Sequence, residues 1–215
     1  MTELRFVAPD LRRLDQVSSE VIVCGVWSDV RPLSGLACLL DWRLAGRMSA
    51  LVRRGYLVGD LGEVVLIPTQ PRLPYDKLLA CGLGARAGFD EGTFRSVFEL
   101  MLETLCGLHV KTAVIELPGR GSALLEPERA AEIFLEIVDA PRDVLRPSLF
   151  VVEPAEAARR MEKYAQERHR TALRVEGSSG ASLAVESSVN GRNLGVDTEA
   201  REGAVDAATL DRLRV

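Results

Sequence analysis

Apolar and polar positions follow two rhythms along this chain of 215 residues, and the rhythms assign most of its elements. Short, almost unbroken apolar runs occur at residues 4–7, 21–26, 63–67, 77–82, 113–117 and 149–152. Such runs are the pattern of strands covered on both faces. Between them the apolar positions recur at helical spacing. Leu36, Leu40, Leu44, Met48, Leu51 and Val52 form one stripe, and Gly55 stands where it can close that helix. Phe94, Val97, Phe98, Met101, Leu102, Leu105 and Leu108 form a second stripe behind Asp90, an expected N-cap. Ala130, Ile133, Phe134, Ile137 and Val138 form a third behind Pro127, whose missing N–H costs nothing in a first helical turn. Residues 154–169 read as a last, mostly solvated helix. Residues 10–19 read as a polar connection, and three prolines make 69–75 irregular.

Strands alternating with helices predict a three-layer α/β/α fold around a mixed, mainly parallel sheet. That domain is expected to occupy residues 1–170. Residues 171–215 read as a C-terminal extension, a hairpin turning at Glu176-Gly177-Ser178-Ser179-Gly180 and then a flexible or partner-dependent tail.

Composition narrows the function only a little. The net charge of −4 argues against a nucleic-acid surface, which needs clustered positive charge. Arg43, Arg47, Arg53 and Arg54 do lie along one helix, so salt-dependent DNA binding is the last-ranked option. No apolar run reaches the length of a membrane span, and Met1-Thr2-Glu3-Leu4 does not open a signal peptide. Cys24, Cys38, Cys81 and Cys106 lack C-x-x-C spacing. A reduced, cytoplasmic setting without a membrane partner is expected.

Catalytic and metal motifs are sparse. The two histidines, His109 and His169, form no metal-binding motif and read as surface residues. Asp29, Asp41, Asp60, Asp76 and Asp90 stand in turns or helix starts, where Asp serves as a cap. Ser34 and Ser122 adjoin glycines without a G-x-S-x-G frame. No cofactor is expected. The glycine loops remain. Pro118-Gly119-Arg120-Gly121-Ser122 joins a strand to a helix, a geometry that can cradle a phosphate on free backbone N–H groups. On residue types alone it reads first as a plain connection whose glycines permit a turn. Gly82-Leu83-Gly84-Ala85-Arg86-Ala87-Gly88 has the look of a nucleotide fingerprint with its spacing off by one. Arg86 and Arg120 would place positive charge beside these two loops.

Several strings together resemble the N-terminal, macro-domain-like domain of the leucyl aminopeptidases. They are Leu40-Asp41-Trp42-Arg43-Leu44-Ala45-Gly46, the stretch from Gly59-Asp60 to Pro68, and Lys77-Leu78-Leu79-Ala80-Cys81-Gly82-Leu83-Gly84. The helix at 90–108 and the strand ending Glu116-Leu117-Pro118-Gly119-Arg120 complete the set, over residues 21–152. In that family a separate C-terminal domain holds two metal ions, with an N-T-D-A-E-G-R-L segment. That segment is absent here, and Asn190-Gly191-Arg192-Asn193-Leu194-Gly195 is not a version of it. The resemblance therefore implies the fold without the peptidase activity.

The fold also resembles the macro domains that bind ADP-ribose. Gly119-Arg120-Gly121-Ser122 followed by Ala130-Ala131-Glu132-Ile133 looks like their diphosphate loop. Their Asn-containing, glycine-rich first loop is replaced by Ser28-Asp29-Val30-Arg31-Pro32-Leu33-Ser34-Gly35, in which Asp29 stands where an adenine-contacting acid would sit. Two functions follow as expectations. The first is a non-catalytic module for self-association or docking to another protein subunit. The alternative is an ADP-ribose or nucleotide binder using Asp29, Gly119, Arg120, Gly121 and Ser122.

Overall fold

A computed structural model describes residues 4–141 and 146–186. Backbone contacts divide the chain after Thr171, and the fold described here is that of the first unit. Its strands are β1 (Arg5–Val7), β2 (Val21–Trp27), β3 (Val64–Pro68), β4 (Lys77–Gly84), β5 (Thr112–Ile115) and β6 (Ser148–Val152). Its helices are α1 (Leu11–Leu14), α2 (Gly35–Arg43), α3 (Arg47–Arg53), α4 (Glu91–Gly107), α5 (Pro127–Asp139) and the part up to Thr171 of α6 (Ala155–Glu186). The sheet has six strands in the order β1-β6-β5-β2-β4-β3. Every pairing is parallel except that of β3 with β4.

Side chains along a strand point alternately to opposite faces, and here both faces are covered. Val21, Val23, Leu79, Cys81, Ala113, Ile115 and Val151 pack under α4 and α5, against Phe94, Phe98, Met101 and Phe134. Ile22, Cys24, Val26, Leu78, Ala80 and Val114 pack on the other side, against Leu14, Leu36, Leu40 and Met48. Two-sided burial explains why these strands read as continuous apolar runs. The expected α/β/α layering is present, with two cores separated by one sheet.

Three stretches depart from the sequence reading. Residues 10–19 are not merely a connection. Asp10 accepts the N–H groups of Arg12 (2.8 Å) and Arg13 (3.3 Å) and starts the single turn α1, which buries Leu14. The stripe from Leu36 to Val52 belongs to two helices rather than one. Ala45 and Gly46 take φ of 55° and 78° between them, and Asp41 accepts the N–H of Ser49 at 3.0 Å to hold the start of α3. Both helices face the same core, so the apolar spacing runs through the break. Finally, helix continues through residues 171–186, where a hairpin turn is expected from Glu176-Gly177-Ser178-Ser179-Gly180. An isolated two-stranded hairpin is marginal, whereas extending an existing helix avoids the cost of a new nucleus. The expected tail beyond it lies outside the described residues.

Tyr75 ties the irregular 69–76 segment to α1. Its buried hydroxyl donates to the carbonyl of Leu14 at 2.6 Å. Tyr75→Phe keeps the ring and leaves that carbonyl only the N–H of Val17 at 3.2 Å, and is expected to destabilise the fold by about 0.5–1.5 kcal/mol in urea denaturation, the net worth of one hydrogen bond. No helix among the described residues is long and apolar enough to cross a membrane.

Candidate functional site

The loops that follow β2, β4, β5 and β6 meet at the C-terminal edge of the sheet, where open α/β folds gather their ligands. Each sequence-selected residue lies near that edge, but not as a set aimed at one space. Asp29, in the loop after β2, accepts the backbone N–H of Arg86 at 2.9 and 3.0 Å. It joins the β2 and β4 loops and is an exposed loop clasp. Gly119 adopts φ of 71° and is packed so closely that a Cβ there would lie 2.6 Å from the ring of Phe89. That ring meets Trp27 edge-on at 5.1 Å. Trp27 in turn donates its indole N–H to the hydroxyl of Ser122 at 3.2 Å.

Arg120 turns away from this crevice. Its guanidinium forms a two-bonded ion pair with Glu153, at 2.7 and 3.0 Å, and donates to the carbonyl of Leu125. The two side chains are only 7% and 1% exposed. The expected positive charge beside the glycine loop is therefore spent inside the protein. The second glycine loop also has another use. Gly82 and Gly84 belong to β4, and a Cβ on Gly82 would lie 1.8 Å from the carbonyl oxygen of Asp60. The glycine lets the 59–62 turn lie directly on the strand.

The residue at the centre of the crevice is Glu116, one position beyond β5. Its Oε1 accepts the N–H of Leu36 at 3.0 Å, and the N–H of Gly25 also points to the carboxylate. Leu36 is the second residue of α2, whose N-cap Ser34 makes no side-chain capping bond. Glu116 thus supplies, from the position just beyond β5, an acceptor for the free N–H groups at the start of α2. A Cβ on Gly121 would lie 2.5 Å from Oε1, and one on Gly35 would lie 2.9 Å from it. Both glycines let backbone close around the carboxylate. Burial pushes Glu116 up to about 7; the two backbone N–H groups oppose that rise, and the nearby Glu153 adds to it.

This arrangement is a backbone anion nest already filled by the chain's own carboxylate. The crevice left among Gly25, Trp27, Gly35, Glu116, Gly121 and Ser122 holds about 10 Å³, about enough for one water molecule. A larger hollow of about 300 Å³ lies between the starts of α5 and α6, beside Arg120, Leu125, Glu126, Pro127, Pro154 and Arg160. Its arginines are matched internally, Arg120 by Glu153 and Arg160 by Glu126 at 2.8 Å and Glu128 at 2.7 Å. Among the described residues no three His, Cys, Asp or Glu side chains gather to hold a metal ion. His109 is exposed at the end of α4, with φ of 54°.

Sequence reasoning missed Glu116, Trp27, Phe89 and Glu153. Glu116 had a signal, a lone carboxylate inside an otherwise apolar run. The partners of Arg120 and Gly119 are distant in sequence and left none. Gly119→Ala must hold a strained φ and displace Phe89, and is expected to cost about 1–3 kcal/mol. Phe89→Leu, made with it, should recover part of that loss in the same denaturation experiment.

Comparison with known proteins places these features in a family. Residues 23–138 match the model of the cytosol aminopeptidase family, N-terminal domain. A probable cytosol aminopeptidase of Thioalkalivibrio sulfidiphilus is 33% identical over 87 residues, covering 40% of this chain and 17% of that protein. One from Idiomarina loihiensis is 37% identical over 87 residues, with the same shares. The chain thus spans less than a fifth of these curated relatives. A mutant of tomato leucine aminopeptidase superposes with a TM-score of 0.52 at 16% identity, over 77% of this chain and 36% of that one. The Oceanobacillus iheyensis macrodomain solved with ADP gives 0.56 at 14%, over 75% and 88%. These structural likenesses establish a shared macrodomain-like fold. The family match covers more than half of the sequence, and the chain belongs to the cytosol aminopeptidase family through that family's N-terminal domain.

Proposed function

We propose that this chain is a non-catalytic association domain, which joins copies of itself or another protein subunit. The observation that carries this reading is a concentration of exposed apolar side chains in one short segment. Tyr56 (68% exposed), Val58 (40%), Leu61 (57%) and Leu66 (45%) all fall within residues 56–68. They run from the end of α3 along the outermost strand. Single exposed apolar residues need no explanation, whereas four of the seven large apolar side chains exposed among the described residues fall within eleven positions of one another here, and gathered apolar groups are what interaction surfaces use. The family match to an N-terminal domain supports the reading, because the matched model is that of the N-terminal part alone.

The test is sedimentation velocity of the full chain over a concentration series. A mass that rises with concentration is expected, and the double variant Tyr56→Ser, Leu61→Ser should abolish the rise. A mass that stays the monomer's at every concentration would overturn self-association.

The alternative reading, a nucleotide or ADP-ribose held by residues 118–122, draws on the fold shared with macrodomains. It requires Glu116 to leave its nest and Gly35 and Gly121 to part. Titration calorimetry with ADP-ribose discriminates the two. Heat that saturates in the wild type, and is lost in Gly121→Val while the fold persists, would favour the binder.

A further inference from the structure

Resting on the association reading, we infer that the partner is a second copy of this chain, joined edge to edge through β3 about a two-fold axis at Val65. β3 ends the sheet. Gly82 donates its N–H to the carbonyl of Glu63 at 2.8 Å, and Val64 and Leu66 stand opposite Cys81 and Leu79. In an antiparallel ladder alternate residues turn their backbone groups to the neighbouring strand. Glu63, Val65 and Ile67 therefore face β4, while Val64, Leu66 and Pro68 face outward. The carbonyl of Pro68 agrees, since it accepts Nη1 of Arg47 at 3.0 Å.

That leaves four outward groups, the N–H and C=O of Val64 and of Leu66. No turn, loop or cap bond among the described residues engages any of them. An open edge of this kind is a template for another strand. A copy rotated about Val65 sets Val64 of each chain against Leu66 of the other. All four groups in each chain are then satisfied, and Pro68, which has no N–H to give, falls outside the pair. An axis at Leu66 would instead set Val64 against Pro68 and leave a carbonyl without a donor. The outward groups are thus self-complementary in one register.

Charge favours the same arrangement. The exposed acid Asp60 precedes the strand, and the exposed Arg47 and Arg72 lie at its far end. Antiparallel pairing brings the acidic end of each copy to the basic end of the other. Residues 56–68 supply about half of the roughly 20–30 residues per side found in standard interfaces. A dimer forming at micromolar concentrations is the expected strength.

Two measurements on the full chain test this. In sedimentation velocity, Leu66→Asp should stay monomeric at concentrations where the wild type is dimeric, with its far-UV circular dichroism unchanged. In hydrogen exchange, the amides of Val64 and Leu66 should slow at least about tenfold between dilute and concentrated wild-type samples. A chain that is monomeric throughout overturns both the edge pairing and self-association. A wild-type dimer that Tyr56→Ser, Leu61→Ser disrupts, but that Leu66→Asp still forms with both amides unprotected, overturns the edge pairing alone.

Discussion

Arg120→Met is expected to cost this protein about 3–5 kcal/mol of stability, the usual penalty for removing one partner of a buried ion pair. The guanidinium makes two bonds to Glu153 and a third to the carbonyl of Leu125. Methionine fills much of the same space but supplies no donor. Glu153 then keeps a carboxylate that is almost wholly enclosed, beside a second acid in Glu116. The penalty is the cost of that orphaned charge rather than the worth of the pair. The double variant Arg120→Met, Glu153→Leu should therefore be markedly more stable than Arg120→Met alone, because replacing both charges by apolar groups removes the desolvation cost as well. Urea denaturation of the wild type, the two single variants and the double variant closes the cycle. An Arg120→Met protein within about 1 kcal/mol of wild type would mean that Glu153 finds another partner or reaches water.

The second large effect is a dependence of stability on pH that originates in Glu116. Its carboxyl is held near 7 in the fold, against an ordinary value of 4.5, because burial penalises the charge. The folded state therefore binds a proton that the unfolded state has already released. Stability from this group is fully present below about pH 4.5 and is lost as pH rises through 7. The total loss is about 3 kcal/mol. Other shifted carboxylates act elsewhere on the scale. Hydrogen bonds from Thr93 to Asp90, from Arg129 to Glu91 and Glu132, and from Arg160 to Glu128 hold those groups below their ordinary values. Their contribution is lost only on acidification below about 4, so the window between 4.5 and 7 belongs to Glu116. Glu116→Gln keeps an acceptor for the N–H of Leu36 but cannot ionise. Its unfolding free energy should be flat across the window in which the wild type declines. A Gln variant with the wild-type slope would assign the proton to another residue.

How much of this could be read from the sequence depends on whether a feature is local. The strands around Val21 and Val114 announce themselves by unbroken burial, and α4 and α5 by their apolar faces and the Asp90 and Pro127 starts. The break between α2 and α3 hides because Leu44 and Met48 enter the same core on either side of it. The sequence shows a loop at 118–122, but it also suggests one from Gly82, where Gly82 and Gly84 in fact lie in β4, and the purpose of these glycines is not local. Gly119 is shaped by Phe89, Gly121 by Glu116, and Gly82 by Asp60. A glycine admits backbone, side chain or ligand without recording which. Arg120 likewise looks like an available cation until the fold brings Glu153 to it from 33 positions away.

Strand alternation gives the chain two internal thiol reporters. Cys24 and Cys81 are both buried, yet the first belongs to the core beneath α1, α2 and α3 and the second to the core beneath α4 and α5. Each can meet an alkylating reagent only when its own helical layer lifts from the sheet, whereas Cys38 is exposed and reacts at once. Timed alkylation followed by peptide mass spectrometry therefore follows the two layers separately in a single sample. Equal rates at Cys24 and Cys81 would mean that the sheet sheds both coverings in one event. Unequal rates would identify the covering that leaves first, and with it the half of the molecule that a binding partner could remodel at the smaller cost.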